Sequence, residues 1–113
     1  MRRGEIWLGN LNPNRGREAG KIRPVLILQA DFLLAAGEPT VIVLPLTTQV
    51  RESKEPLHVT IAARDRLRQR CQIMTEQPRT LDGGRLLDGP LTILTREEMS
   101  AVEKSFRTVT GLG

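Results

Sequence analysis

By type and setting, Arg23 is the residue in this chain best equipped for chemistry. It stands immediately before Pro24 and the apolar run Val25–Leu28, at the end of a polar stretch punctuated by Gly16 and Gly20. The pyrrolidine ring of Pro24 fixes its own φ and pushes the preceding residue towards an extended conformation, which keeps Arg23 out of any helix. Val25–Leu28 has the length and β-branched content of a buried strand. A guanidinium held at a strand mouth can grip a phosphate, because its planar fork bonds two oxygens at once. On this segment alone a plain salt bridge to a neighbouring loop stays open, since charges at strand ends commonly face solvent.

Other reactive side chains are few. There is one cysteine, Cys71, and one histidine, His58. An internal disulfide is therefore impossible, and too few soft ligands exist for a Cys/His metal centre, so no metal and no cofactor is expected. A lone histidine more often bonds a carbonyl or carboxylate than performs catalysis, and His58 reads as structural. Cys71 has no evident base partner and reads as a small buried hydrophobe. Lys and Arg number 17 against 13 Asp and Glu, giving a net charge of +4 and a pI near 10.2. That balance favours a polyanionic partner without identifying it. Aromatic residues are limited to Trp7, Phe32 and Phe106, too few for a reader of single strands that works mainly by base stacking.

The elements that must position Arg23 follow from periodicity. Residues 5–11 read as a first strand, 12–21 as a long loop of the kind that is more often functional than decorative, and the next strand runs through Gln29. Asp31 to Gly37 reads as one helical turn. Residues 40–46 form a third strand, apolar on both faces and hence central, with Pro45 marking an edge position or a bulge. Residues 57–61 and 71–77 read as further strands, with 78–81 continuing the latter after a break. Asp82-Gly83-Gly84 and Asp88-Gly89-Pro90 read as turns. Thr95 and Glu98 spell a capping box, and Met99, Val102, Phe106 and Val109 recur on one face of a helix of about 15 residues. The chain is thus expected to be one domain, residues 1–113, mainly β with a C-terminal α-helix, curled into a small half-open barrel. No apolar run approaches membrane-spanning length and no signal peptide is evident, so a soluble cytoplasmic protein is expected.

Three ordered segments carry a family likeness. They are Arg3-Gly4-Glu5-Ile6-Trp7 through Gly16 and Glu18 to Arg23-Pro24-Val25-Leu26; Leu46-Thr47-Thr48-Gln49 followed by His58-Val59; and Glu76-Gln77-Pro78-Arg79-Thr80-Leu81-Asp82. Together they resemble the MazF/PemK toxin endoribonucleases of bacterial toxin–antitoxin pairs. The resemblance implies an SH3-like barrel of the CcdB/MazF type, a homodimer, metal-independent cleavage of single-stranded RNA at a short sequence, and a cognate antitoxin that lays an acidic segment across the substrate groove. It puts the family's arginine on Arg23 and its strand-end threonine on Thr47, with Thr48 as the neighbouring possibility. The loop glutamate falls on Glu18 and the Glu-Gln pair on Glu76 and Gln77.

The chemistry so implied is attack of the 2′-hydroxyl on the adjacent phosphorus, which needs a proton acceptor, a proton donor and a cation for the developing charge. On this reading Arg23 clamps the phosphate and donates the proton, while Thr47 bonds a non-bridging oxygen. Arginine side chains ordinarily keep their proton to above about pH 12, which makes them awkward bases. Glu76 and Gln77 would read base edges, with Thr48, Gln49 and Glu18 as further substrate contacts. Arg17, Lys21 and Arg79 would neutralise flanking phosphates and make binding salt-sensitive. The run 64–70 is an RNA patch, a solvated linker or an antitoxin-facing surface. A CcdB-like gyrase poison and a non-catalytic RNA-binding barrel are the alternatives; the retained Arg23 and Thr47 favour the nuclease.

Overall fold

The two longest apolar runs, around residues 25–28 and 41–46, have no polar side to give to solvent, so nearly all of both faces must be covered, Ile42 at 39% exposure being the exception. In the computed structural model, which describes residues 1–13, 15–18 and 21–113, the strands are β1 (Glu5–Asn10), β2 (Ile22–Ile27), β3 (Thr40–Thr47), β4 (Val59–Ile61), β5 (Cys71–Ile73), β6 (Arg79–Asp82) and β7 (Leu86–Ile93). The helices are α1 (Asp31–Ala35) and α2 (Arg96–Thr110), with single 3-10 turns at Glu52–Lys54 and Gly83–Arg85. Of the loop expected over 12–21, Asn14, Ala19 and Gly20 lie outside the described residues. The sheet order is β4-β5-β3-β2-β1-β7, and β6 pairs with β3 as well.

Val25, Leu26, Ile27, Val43, Leu44 and Leu46 are each no more than 1% exposed. On one face Leu26, Leu44 and Leu46 pack with Ile6 and Ile73 beneath Val102, Met99 and Phe106 of α2. On the other, Val25, Ile27 and Val43 meet Leu11, Met74, Leu81 and Leu86 as the sheet curls over itself. The curl nearly brings the edges together, because the Arg66 N–H in the connection after β4 donates to the Leu91 carbonyl of β7 at 2.9 Å. This is the mainly β, half-open barrel with a C-terminal helix that the pattern led us to expect.

The fold departs from expectation at Pro45, at residues 88–90, and at residues 71–77, where the strand ends at Ile73. Pro45 does not mark an edge: β3 is central, and Pro45 sits where the strand changes partner, from β6 at residues 40–43 to β5 at residues 46–47. Its carbonyl accepts from Met74 N–H at 2.9 Å, so the missing N–H of the same residue falls at the handover. Residues 88–90 are not a turn between elements but lie within β7, in a bulge between the pairs Leu8–Leu87 and Ile6–Thr92. Glycine is required there by packing. A Cβ on Gly89 would lie 2.2 Å from Cδ2 of Trp7, whose indole lies over the bulge.

The helix forms as its local signals dictate. Thr95 Oγ1 accepts from Glu98 N–H at 3.1 Å, Thr95 N–H donates back to Glu98 Oε1 at 2.8 Å, and Gly111 closes the helix with φ 73°. Glu98 has a second task. Arg64 Nη1 and Nη2 each donate to its carboxylate at 2.7 Å, Nη2 also reaches Ile93 O at 3.0 Å, and Nε bonds Thr92 Oγ1 at 3.2 Å. The first arginine of the 64–70 run therefore joins the barrel edge to the helix start, and Arg66 pairs with Asp88 at 2.6 Å.

The Arg64 fork, helped by Thr95 and opposed by burial, holds the Glu98 carboxyl below its ordinary value, and Arg64 is raised in turn. A carboxyl depressed in the folded state contributes stability that is complete above its unfolded value and is lost as pH falls through the folded one. Glu98→Gln is expected to cost about 1–3 kcal/mol of unfolding free energy at neutral pH. In urea unfolding, its difference from wild type should narrow as pH falls below 4.5, the ordinary value.

Candidate functional site

Antiparallel strands β2 and β3 bring the two leading residues to one cleft. The β2–β3 pairing runs from Ile27–Val43 to Val25–Pro45, and Arg23 on β2 and Thr47 on β3 each lie two residues beyond its last pair. Both line one cleft of about 520 Å3, whose apolar wall is Pro24, Leu46 and Met74. Arg23 is half-buried, and its Nη1 reaches the Leu46 carbonyl, next to Thr47, at 3.4 Å. Thr47 Oγ1 accepts from Gln49 N–H at 3.1 Å, and a hydroxyl that accepts one bond still has a proton to donate. Arg17, Glu18, Lys21, Ile22, Thr48, Gln49 and Gln77 complete the lining. With three cations around a half-apolar cleft, the arrangement suits a phosphate and its flanking charges.

Two loops carry this lining, and each is tied down by side chains. At the root of the first, Leu11 N–H donates to Lys21 O at 2.9 Å and Lys21 N–H donates to Asn12 Oδ1 at 2.9 Å. Lys21 takes a left-handed φ of 68°, a conformation that non-glycine residues seldom adopt. Within the loop the Glu18 carboxylate accepts from Arg15 N–H at 2.9 Å. The second loop, 49–57, is held by Gln72, a fully buried residue of β5. Its amide accepts from Arg51 N–H at 3.1 Å and donates to Arg51 O at 3.0 Å, as a paired strand would.

A neighbouring cleft of about 450 Å3 shares Arg17, Glu18 and Gln77 with the first and adds Glu76, Pro78 and Arg79. Here the side chains have structural engagements that the sequence did not reveal. Glu76 meets buried His58, whose Nε2 lies 2.7 and 2.9 Å from the two carboxylate oxygens, so the histidine bonds a carboxylate. Arg79 Nη1 donates to Leu11 O at 2.7 Å, and Gln77 Nε2 contacts Met74 Sδ at 3.7 Å. All ten residues singled out for catalysis or binding thus border one or other of two adjoining clefts. Cys71 is buried, with its thiol pushed up by burial. Gln72 and Arg85 were missed; their partners include backbone groups of Arg51, Asn10 and Asn12, which leave no mark in a sequence.

The family described as PemK-like, MazF-like toxin of type II toxin–antitoxin system matches residues 2–110. Endoribonuclease MazF of Staphylococcus saprophyticus subsp. saprophyticus is 40% identical over 113 residues, covering 99% of this chain and 92% of the relative. The crystal structure of MazF from Deinococcus radiodurans aligns with a TM-score of 0.82 at 20% identity, over 98% of this chain and 96% of that one. An endoribonuclease in complex with its cognate antitoxin from a mycobacterial species aligns with a TM-score of 0.77 at 22% identity, over 100% and 97% of the two chains. At those identities the structural likeness speaks for the fold.

Proposed function

The chain belongs to the PemK-like, MazF-like toxin family of type II toxin–antitoxin systems, and from that premise we propose that the cleft shared by Arg23 and Thr47 is where it cuts RNA. It is an endoribonuclease, and its protein partner is a cognate antitoxin, as in the mycobacterial complex. The CcdB-like gyrase poison is not favoured, since the matching family and the 40% identical relative are those of MazF.

In the reaction we infer, the ribose 2′-oxygen attacks the adjacent phosphorus, its proton leaves to a base, and the bond to the 5′-oxygen breaks as that oxygen gains a proton. The products are a 2′,3′-cyclic phosphate and a 5′-hydroxyl. Arg23 clamps the non-bridging oxygens as charge accumulates and donates to the leaving oxygen. Thr47 offers the hydroxyl proton left over from its bond with Gln49. Arg17 and Lys21 attract flanking phosphates, while Glu18, Thr48, Gln49, Gln77 and the His58-anchored Glu76 meet the bases, with Arg79 at the far rim. The observation that carries this reading is the convergence of residues 23 and 47, remote in sequence, on one cationic cleft. We further take the protein to act as a homodimer in the cytoplasm, where single-stranded messenger RNA is exposed; no helix among the described residues is long and apolar enough to cross a membrane.

The test is incubation of the purified protein with long single-stranded RNA in excess EDTA, followed by mapping of product ends. A small set of recurrent cuts ending in 2′,3′-cyclic phosphate is the expected outcome. Intact RNA, or cuts that vanish with the chelator, would refute the proposed route.

A further inference from the structure

Three consecutive backbone carbonyls at the root of the 12–21 loop each accept a bond from a guanidinium. Arg85 Nη1 donates to Asn10 O at 3.4 Å and to Asn12 O, while Arg79 Nη1 takes Leu11 O between them at 2.7 Å. Arg85 is 75 residues from Asn10 in the chain and projects from the end of the 3-10 turn Gly83–Arg85, itself capped where Asp82 Oδ1 accepts from Gly84 N–H at 2.8 Å. Carbonyls leaving a strand into a surface loop are ordinarily satisfied by water. Here the protein has committed two arginines to them. The same root is closed from the other side by Asn12 Oδ1, which accepts from Lys21 N–H.

We propose that Arg85 is a positioning residue for RNA recognition. It fixes the direction in which the chain leaves β1, and through that the places of Arg17, Glu18 and Lys21 on the cleft walls, without itself bordering either cleft. A guanidinium suits this role because its donors are rigidly arranged, and bonds to two alternate carbonyls set an angle as well as an anchor; an ammonium would supply only the anchor. A loop without the clasp would still carry its cations to the RNA, but in several poses. Base discrimination would then fall before catalysis does. This inference rests on the two clefts being the RNA site.

The test compares wild type, Arg85→Ala and Arg85→Lys by mapping cuts on one long RNA and by measuring kcat and KM on a short oligonucleotide carrying the favoured site. For Arg85→Ala we expect KM to rise about tenfold, kcat to stay within about twofold, and additional sites to be cut. Arg85→Lys should show a smaller rise in KM and the same broadening of sites. A wild-type cut set and KM in either variant would overturn the proposal. So would a parallel fall of kcat and melting temperature with the cut set unchanged, which marks mere destabilisation. Should the alanine variant fail to fold, the lysine variant, with its charge and aliphatic stem retained, decides the question alone. Wild type serves as the control: if it cuts no RNA, the reading of the clefts has failed, not the role of Arg85.

Discussion

Replacing Arg23 by alanine is expected to lower the single-turnover rate of RNA cleavage by at least about 10²–10³-fold, a loss of roughly 2.7–4 kcal/mol of transition-state stabilisation. The expectation follows from where charge develops. On the proposed route, as the 2′-oxygen bonds to phosphorus the non-bridging oxygens would gain negative charge beside Pro24, Leu46 and Met74, an apolar wall that screens poorly. A fixed guanidinium is worth more there than in water, because it is already oriented when the charge appears. The fold should survive the change. Arg23 is half-buried at the strand mouth, and the fully buried core of β2 starts only at Val25. Thermal melting should therefore move little while activity collapses. Arg23→Lys should fall between the two, since it restores the charge but not the fork. Wild-type turnover in the alanine variant would shift the clamp to Arg17 or Lys21, which share the cleft.

How much of this architecture could be read from sequence depended on whether its cause was local. The capping box at Thr95 and Glu98 and the spacing from Met99 to Val109 act within one or two turns, and α2 forms where they put it, at Arg96–Thr110. The central strands were legible for a similar reason: uninterrupted apolar residues need covering wherever they sit. β7 was not. Its Asp88-Gly89-Pro90 carries ordinary turn chemistry, and the reason for the glycine is the indole of Trp7, more than eighty residues earlier. Residues 71–77 likewise read as one strand, whereas pairing stops at Ile73 and resumes at Arg79 on a different stretch of β3.

The site divides along the same line. Arg23 was conspicuous because Pro24 and the run behind it constrain the backbone, and it shares a cleft with Thr47 because each lies two residues beyond the antiparallel pair Val25–Pro45. Side chains that bond the main chain were invisible. Any sequence offers carbonyls at 10, 11 and 12, so nothing announced that Arg79 and Arg85 would take them. The pair His58–Glu76 stood between these cases: a carboxylate partner for the histidine was foreseeable, but which one depended on how the chain turns after β5. Of the basic run 64–70, Arg64 and Arg66 prove to be paired with Glu98 and Asp88, the second pair on the exposed surface.

The second large effect lies in the substrate. An oligonucleotide that is ribose throughout except for a 2′-deoxy sugar immediately 5′ to the scissile phosphate should not be cut there. It should nonetheless inhibit cleavage of the all-ribose strand, with an inhibition constant close to the KM of that strand. The two halves separate chemistry from recognition. The missing hydroxyl is the nucleophile, and no arrangement of Arg23 and Thr47 can replace it within the proposed route. Every phosphate that Arg17, Lys21 and Arg23 would meet is still present, as is every base edge, so binding should persist. Attack by water would behave differently, since it does not use the neighbouring hydroxyl. The deoxy strand would then be cut at a comparable rate, and no product would end in a cyclic phosphate. Combining this substrate with the arginine variant sharpens the assignment. If Arg23 acts mainly as charge accumulates on phosphorus, Arg23→Ala should bind the uncuttable strand with only a modest loss, far smaller than its loss in rate. A loss in binding as large as the loss in rate would instead make Arg23 a ground-state phosphate anchor, and the electrostatic work of the reaction would have to come from elsewhere in the cleft.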